Sequence, residues 1–161
     1  MESTERYGLV GVAATSIACE DLNGDGIPEI MVANYQNDFE YDTDSFVYWG
    51  TETGFDTESP LRLPTHYALQ VILGDLNNDG WKEIVFVGGN EIYIYWNDFG
   101  TFAPDRRTVV KANGISTMFC LGAIRADIAD VDGDGARIGL FQLTDLPHHA
   151  VGTAGSVAQR L

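Results

Sequence analysis

Asp21-Leu22-Asn23-Gly24-Asp25-Gly26-Ile27-Pro28-Glu29 decides how the rest of the chain is read. Oxygen-bearing side chains stand at the first, third and fifth places, glycines fill the bends, and an acid closes the run at the ninth. Hard cations such as Ca²⁺ take six to eight oxygen ligands at roughly 2.3–2.6 Å, and this spacing suits a tight loop around one. The pattern returns at Asp75-Leu76-Asn77-Asn78-Asp79-Gly80-Trp81-Lys82-Glu83 and begins again at Asp130-Val131-Asp132-Gly133-Asp134-Gly135. Asp75 lies 54 residues after Asp21, and Asp130 lies 55 after Asp75, so the motif belongs to a repeating unit.

The expected ligands of the first loop are Asp21, Asn23, Asp25 and Glu29, supplemented by the Ile27 carbonyl or water. Those of the second are Asp75, Asn77, Asp79 and Glu83, with the Trp81 carbonyl. The third offers Asp130, Asp132 and Asp134, but Ile138 stands where the closing acid belongs. An EF-hand opens in the same way and needs a bidentate Glu at its twelfth place. Val32, Phe86 and Phe141 occupy that place here, and the flanks read as strands, so an EF-hand is excluded. The competing reading is a metal-free turn, since Asn, Asp and Gly favour turns on their own account.

Composition narrows the classes. The chain of 161 residues is 45% hydrophobic and 20% charged, a globular balance, and its formal net charge is −15. Such acidity argues against nucleic acid and anionic membrane surfaces as partners. Nine of the 24 acids sit in the three loops, where they repel one another unless a cation lies among them. Cys19 and Cys120 are not repeat-equivalent and read as buried free thiols. No apolar stretch reaches the length of a membrane span. The short apolar run Leu9 to Cys19 follows Glu2, Glu5 and Arg6, which is no positive leader region, so it reads as a strand with no signal peptide visible.

A second landmark repeats as well: Tyr48-Trp49 with Phe55, then Tyr95-Trp96 with Phe102, each displaced by 47. The seven-residue difference falls between Asn34 and Asp44, a long polar connector that Gly88-Gly89-Asn90 replaces by a tight turn. Four short strands fit each unit: Ser16–Cys19, Glu29–Ala33, Ser45–Trp49 and Leu61–Leu63, then Leu69–Leu73, Glu83–Val87, Glu91–Trp96 and Thr108–Lys111. In Ile84-Val85-Phe86-Val87 and Ile92-Tyr93-Ile94-Tyr95-Trp96 both alternating faces are apolar, so both must be covered. Four short strands buried on both faces make a propeller blade. The expectation is all-β: a partial β-propeller with two four-stranded blades plus an incomplete third. Blade 1 spans about 10–64, blade 2 about 65–114 and partial blade 3 about 115–143, with strands at Arg125–Ala129 and Ile138–Leu143. The tail 144–161 departs from the repeat, with one acid and no aromatic. The 161 residues form one propeller segment, whose remaining blades come from a longer parent chain or from self-association, since unpaired blade edges invite pairing.

These loops and landmarks resemble the FG-GAP/VCBS calcium-binding repeats of integrin alpha-subunit propellers and many bacterial surface proteins. The resemblance covers roughly residues 10–138, and the Asp-Leu-Asn-x-Asp-Gly-x-x-Glu-Ile form of two units is its specific mark. It implies that each loop joins the first two strands of a blade, with Ca²⁺ on one rim, and that the setting is extracellular or at the cell surface. The function it implies is a Ca²⁺-stabilised adhesion or ligand-binding module, non-enzymatic, with a protein or carbohydrate ligand. The alternatives are a fragment of a propeller-type polysaccharide-active enzyme and a purely structural spacer. Other chemistry is thin: His66 reads as a lone loop residue and His148-His149 as incidental. Trp49, Trp96, Tyr48 and Tyr95 could form a sugar platform, but their repeated placement favours blade packing.

Overall fold

The computed structural model describes residues 8–88, 91–111, 124–128, 139–142 and 156–157. Every described element is a strand, and none is a helix long and apolar enough to cross a membrane. The first sheet contains β1 (Ala14–Glu20), β2 (Glu29–Asn34), β3 (Asp42–Tyr48) and, after a small hairpin of β4 (Gly50–Thr51) and β5 (Gly54–Phe55), β6 (Leu61–His66). Its order is β1-β2-β3-β6, antiparallel throughout. The second sheet repeats it with β7 (Gln70–Gly74), β8 (Glu83–Val87), β9 (Glu91–Tyr95) and β10 (Arg107–Lys111). A third begins with β11 (Ile124–Asp127) and β12 (Gly139–Gln142), joined by β13 (Ser156–Val157) from the divergent tail. These are the blades of a partial β-propeller.

Alternation sets the packing. On one face of blade 1, Met31, Ala33 and Val47 meet Ile84, Phe86, Tyr93 and Tyr95 of blade 2. The opposite face of blade 2, Val85, Val87, Ile92 and Ile94, meets Ala126 and Ile128 of the third unit. All five residues of β8 are buried, as its two apolar faces require. Fit is close at the seam, where a Cβ on Gly74 would stand 2.8 Å from the Ile128 side chain.

Several expectations change. The connector after β2 is shorter than its polar composition suggests, because β3 starts at Asp42 and pairs Asp42 with His66 and Asp44 with Pro64. His66 is therefore not a lone loop residue: it ends β6, with Nδ1 2.6 Å from Asp42 Oδ1. Cys19 is exposed rather than buried, because it points from β1 to the face of blade 1 turned away from blade 2. Trp49 and Trp96 lie just beyond the ends of β3 and β9. Tyr48 and Tyr95 are fully buried, so they pack the blades and offer no sugar platform. Cys120, Gly89-Asn90, His148-His149 and the third loop, with Asp130, Asp132, Asp134 and Ile138, lie outside the described residues.

Candidate metal centre

Both complete loops close a β-hairpin at the same place. Glu20 pairs with Glu29 in blade 1, and Gly74 pairs with Glu83 in blade 2, so each loop spans the gap between first and second strands. Within it the side chains fold back onto the backbone. Asp21 accepts from the Gly24 and Gly26 N–H groups at 2.7 and 2.8 Å. Asn23 Oδ1 accepts from Asp25 N–H, and Asp25 Oδ1 from Ile27 N–H. The second loop follows the pattern with one shift: Asp75 takes Gly80 N–H and also the fifth residue's, Asp79 N–H, while Asn77 takes Asp79 N–H and Asp79 takes Trp81 N–H. Gly26 and Gly80 have φ of 86° and 91°, the left-handed backbone that the bend requires. The fourth position is left-handed too, Gly24 at 76° and Asn78 at 60°, and Asn is the residue that best tolerates it after Gly.

The ninth-position acids behave differently from the rest. Glu29 and Glu83 are both fully buried. One oxygen of each is held, Glu29 Oε2 by Leu22 N–H and Glu83 Oε2 by Leu76 N–H, both at 2.7 Å. The other oxygen, Oε1 in both residues, is buried without a hydrogen-bond partner. Burial pushes both carboxyls above the ordinary range, against the pull of the Leu22 and Leu76 N–H groups. The Gly50 and Asn97 N–H groups also favour the charged forms, from positions that close no hydrogen bond to Oε1. Asp25 and Asp21 add repulsion at Glu29, as Asp79 and Asp75 do at Glu83, so the loop carboxylates of each blade share one field.

Among the described residues, no three acidic, histidine or cysteine side chains converge into a ready-made cation cluster. The backbone bonds explain why: Asp21 and Asp25 are turned onto their own loop's N–H groups. Each carboxylate oxygen keeps a second lone pair, so these bonds leave room for a cation. An all-oxygen donor set of acids, one amide and main-chain carbonyls fits Ca²⁺ in kind. A metal-free turn accounts for the folded-back Asp and Asn side chains. It leaves the two unpartnered buried Glu oxygens unexplained, and such groups are costly in native proteins.

The neighbouring blade holds the first loop in place. Asn97 donates from Nδ2 to the Leu22 and Lys82 carbonyls, at 2.9 and 3.1 Å, and accepts Gly100 N–H on Oδ1 at 2.7 Å. Leu22 itself is buried in the seam between the blades. A Cβ on Gly100 would lie 2.8 Å from Asn23 Cα, so the Asp98–Gly100 turn rests on the loop. Trp81 of the second loop lies over Gly24. Motif reading missed Leu22, Leu76, Asn97 and Gly100. The signal for the leucines was there, since Leu follows Asp in both complete copies. Asn97 gave none, because its partner lies 75 residues away in sequence.

A family model described as an FG-GAP-like repeat matches residues 21–86 and 75–137, which together span more than half of the chain. The chain belongs to the FG-GAP-like repeat family. Each match of this FG-GAP chain begins at the first Asp of a loop, so the family unit is phased on the geometry just described. Among curated proteins it is similar to integrin alpha-3 of Cricetulus griseus, 30% identical over 81 residues. That likeness covers 44% of this chain and 7% of the integrin.

Proposed function

We propose that this FG-GAP segment binds Ca²⁺ in its strand-to-strand loops and serves as an extracellular or cell-surface module for adhesion or ligand recognition. The observation that carries the metal reading is the pair of repeat-equivalent carboxylates, Glu29 and Glu83, each with one buried, unpartnered oxygen. A cation would take that oxygen together with Asp21, Asn23, Asp25 and the Ile27 carbonyl, or Asp75, Asn77, Asp79 and the Trp81 carbonyl. Bound Ca²⁺ would supply the positive charge that the clustered acids of each loop lack. The role is structural: the loops sit where one strand turns into the next, and the first is clamped by the following blade. A third, weaker site at Asp130, Asp132 and Asp134 completes the series.

Kinship with an integrin alpha chain supports the extracellular setting and the binding role, with a protein or carbohydrate ligand. The deciding measurement is calorimetric titration with Ca²⁺ after chelation, alongside thermal midpoints in both states. At least two bound ions and a higher midpoint with Ca²⁺ are expected, at affinities on the order of 10⁻⁴–10⁻³ M for extracellular modules. No heat and an unchanged midpoint would remove the metal from the account. Ca²⁺-dependent cleavage of an acidic polysaccharide would replace the binding module with an enzyme.

A further inference from the structure

The face of blade 1 turned away from blade 2 is covered on only one half, and the repeat identifies what covers it. Leu9 and Val12 pack against Val32, Phe46 and Tyr48 on that face. The Tyr48 hydroxyl donates to the Val10 carbonyl at 2.6 Å. In blade 2 the equivalent Tyr95 hydroxyl donates to the Pro64 carbonyl, which belongs to β6, the fourth strand of the blade before it. Val10 and Pro64 are 54 residues apart, which is the spacing of the first two metal loops. The same offset carries Leu9 onto Leu63 and Ala13 onto Tyr67. Ala13 and Tyr67 share a rare left-handed backbone, with φ of 48° and 55°. Leu63 packs on the next blade as Leu9 packs on blade 1.

The uncovered half tells the same story. Ile17 and Cys19 of β1 lie on this face, paired with Val32 and Ile30. Ile17 is 64% exposed, whereas Val71, its equivalent in blade 2, is 4% exposed against blade 1. Cys19 is exposed, whereas its equivalent Leu73 packs into the seam. Val10 is 62% exposed, and no described strand pairs with the segment that contains it.

We infer that residues 8–13 are the fourth strand of a blade preceding β1, and that blade 1 docks a three-stranded antiparallel sheet of the same repeat type. The sheet's third strand pairs with Gly8–Val12, and its apolar face covers Ile17 and Cys19. The pairing of β3 with β6 sets the register, placing the partner's equivalent of Asp44 opposite Val10. The blade boundary therefore lies at Ala13, as the next lies at Tyr67. This inference does not depend on metal.

The test copies residues 14–61, as Cys19→Ser, directly ahead of Gly8, in a chain that carries Cys120→Ser. The copied strands then run into residues 8–13 as β1–β3 run into β6. Amide exchange at Leu9 and Gly11, the equivalents of Leu63 and Thr65 on either side of Pro64, should slow more than tenfold, and labelling of the original Cys19 by a thiol reagent should slow similarly. Exchange and labelling as fast as in the unextended Cys120→Ser chain would overturn the inference. A second arm uses the chain as it stands. Val10→Pro should keep the thermal midpoint, because Pro64 fills the equivalent place, while Val12→Pro should lower it by removing the bond from Val12 N–H to Asn34 Oδ1, 2.9 Å. Equal losses from the two prolines would deny the equivalence to β6, even if the extended chain failed to fold.

Discussion

Glu29 and Glu83 stand at the same point of successive blades, each fully buried, each with one oxygen on the N–H of the residue seven places earlier. The second oxygen of each has no partner. Replacing either with Gln keeps an oxygen for the Leu22 or Leu76 N–H and removes the negative charge. Without Ca²⁺, Glu29→Gln and Glu83→Gln should leave the midpoint unchanged or raise it, because the burial of a charge is relieved. With Ca²⁺, each variant should lose its share of the stabilisation. Midpoints of both variants in millimolar Ca²⁺ and in chelator check this; a full Ca²⁺ response in the double variant would show that these oxygens hold no metal.

The clamp on the first loop gives a sharper test of its architecture. Asn97 is 4% exposed and makes three hydrogen bonds, one across the seam to Leu22. Asn97→Ala leaves the Leu22 carbonyl and Gly100 N–H short of partners and should cost about 2–3 kcal/mol, read by denaturant unfolding. Gly100→Ala should also destabilise, since φ is 87° and the added methyl meets Asn23 backbone. Its effect on Ca²⁺ affinity should fall on the first loop and spare the second. Equal weakening at both loops would show that the turn does not act locally.

Acid titration reports on a different place. Tyr93 donates to Glu91 and lowers its pKa; burial opposes this, and Lys111 at 3.0 Å adds to the lowering. A carboxyl with a lowered folded pKa contributes stability above its unfolded value, and loses it as pH falls through the folded one. Glu91→Gln should therefore be less stable than the parent at pH 7. The gap should narrow as pH drops below the ordinary value of 4.5. Chemical unfolding of both proteins from pH 7 to pH 3 measures it; a gap independent of pH would assign the loss to packing.

Much of this was legible because it is local or periodic. The loop spacing, the two-sided apolar strands and the Tyr-Trp landmark each repeat, and each marks the element it predicts. What escaped depends on neighbours distant in sequence. Strand β3 reaches back to Asp42 because His66 and Pro64 pair with it, although Asp42 and Asp44 themselves disfavour a strand. Cys19 read as buried because free thiols usually are, yet exposure depends on what lies beside β1. Residues 8–13 hold the same lesson, since their equivalence to β6 emerges from the Tyr48–Val10 and Tyr95–Pro64 bonds rather than from side-chain pattern.

The Pro64 carbonyl is the last point where one blade grips the next. It accepts both the Tyr95 hydroxyl at 2.5 Å and Arg107 at 2.6 Å, and Arg107 also donates to the Tyr95 oxygen at 2.8 Å. The guanidinium lies 5.6 and 5.9 Å from the Tyr93 and Tyr95 ring centres, within cation–π range. Tyr95→Phe should cost about 1 kcal/mol, since Arg107 still satisfies the carbonyl. Arg107→Ala should cost about 2–3 kcal/mol, because it removes charge-assisted bonds and the stacking together. The double variant should lose more than the sum, by at least about 0.5 kcal/mol, because only then is the Pro64 carbonyl left without a donor. Denaturant unfolding of the four proteins closes the cycle, and strict additivity would show that the two donors do not share this oxygen.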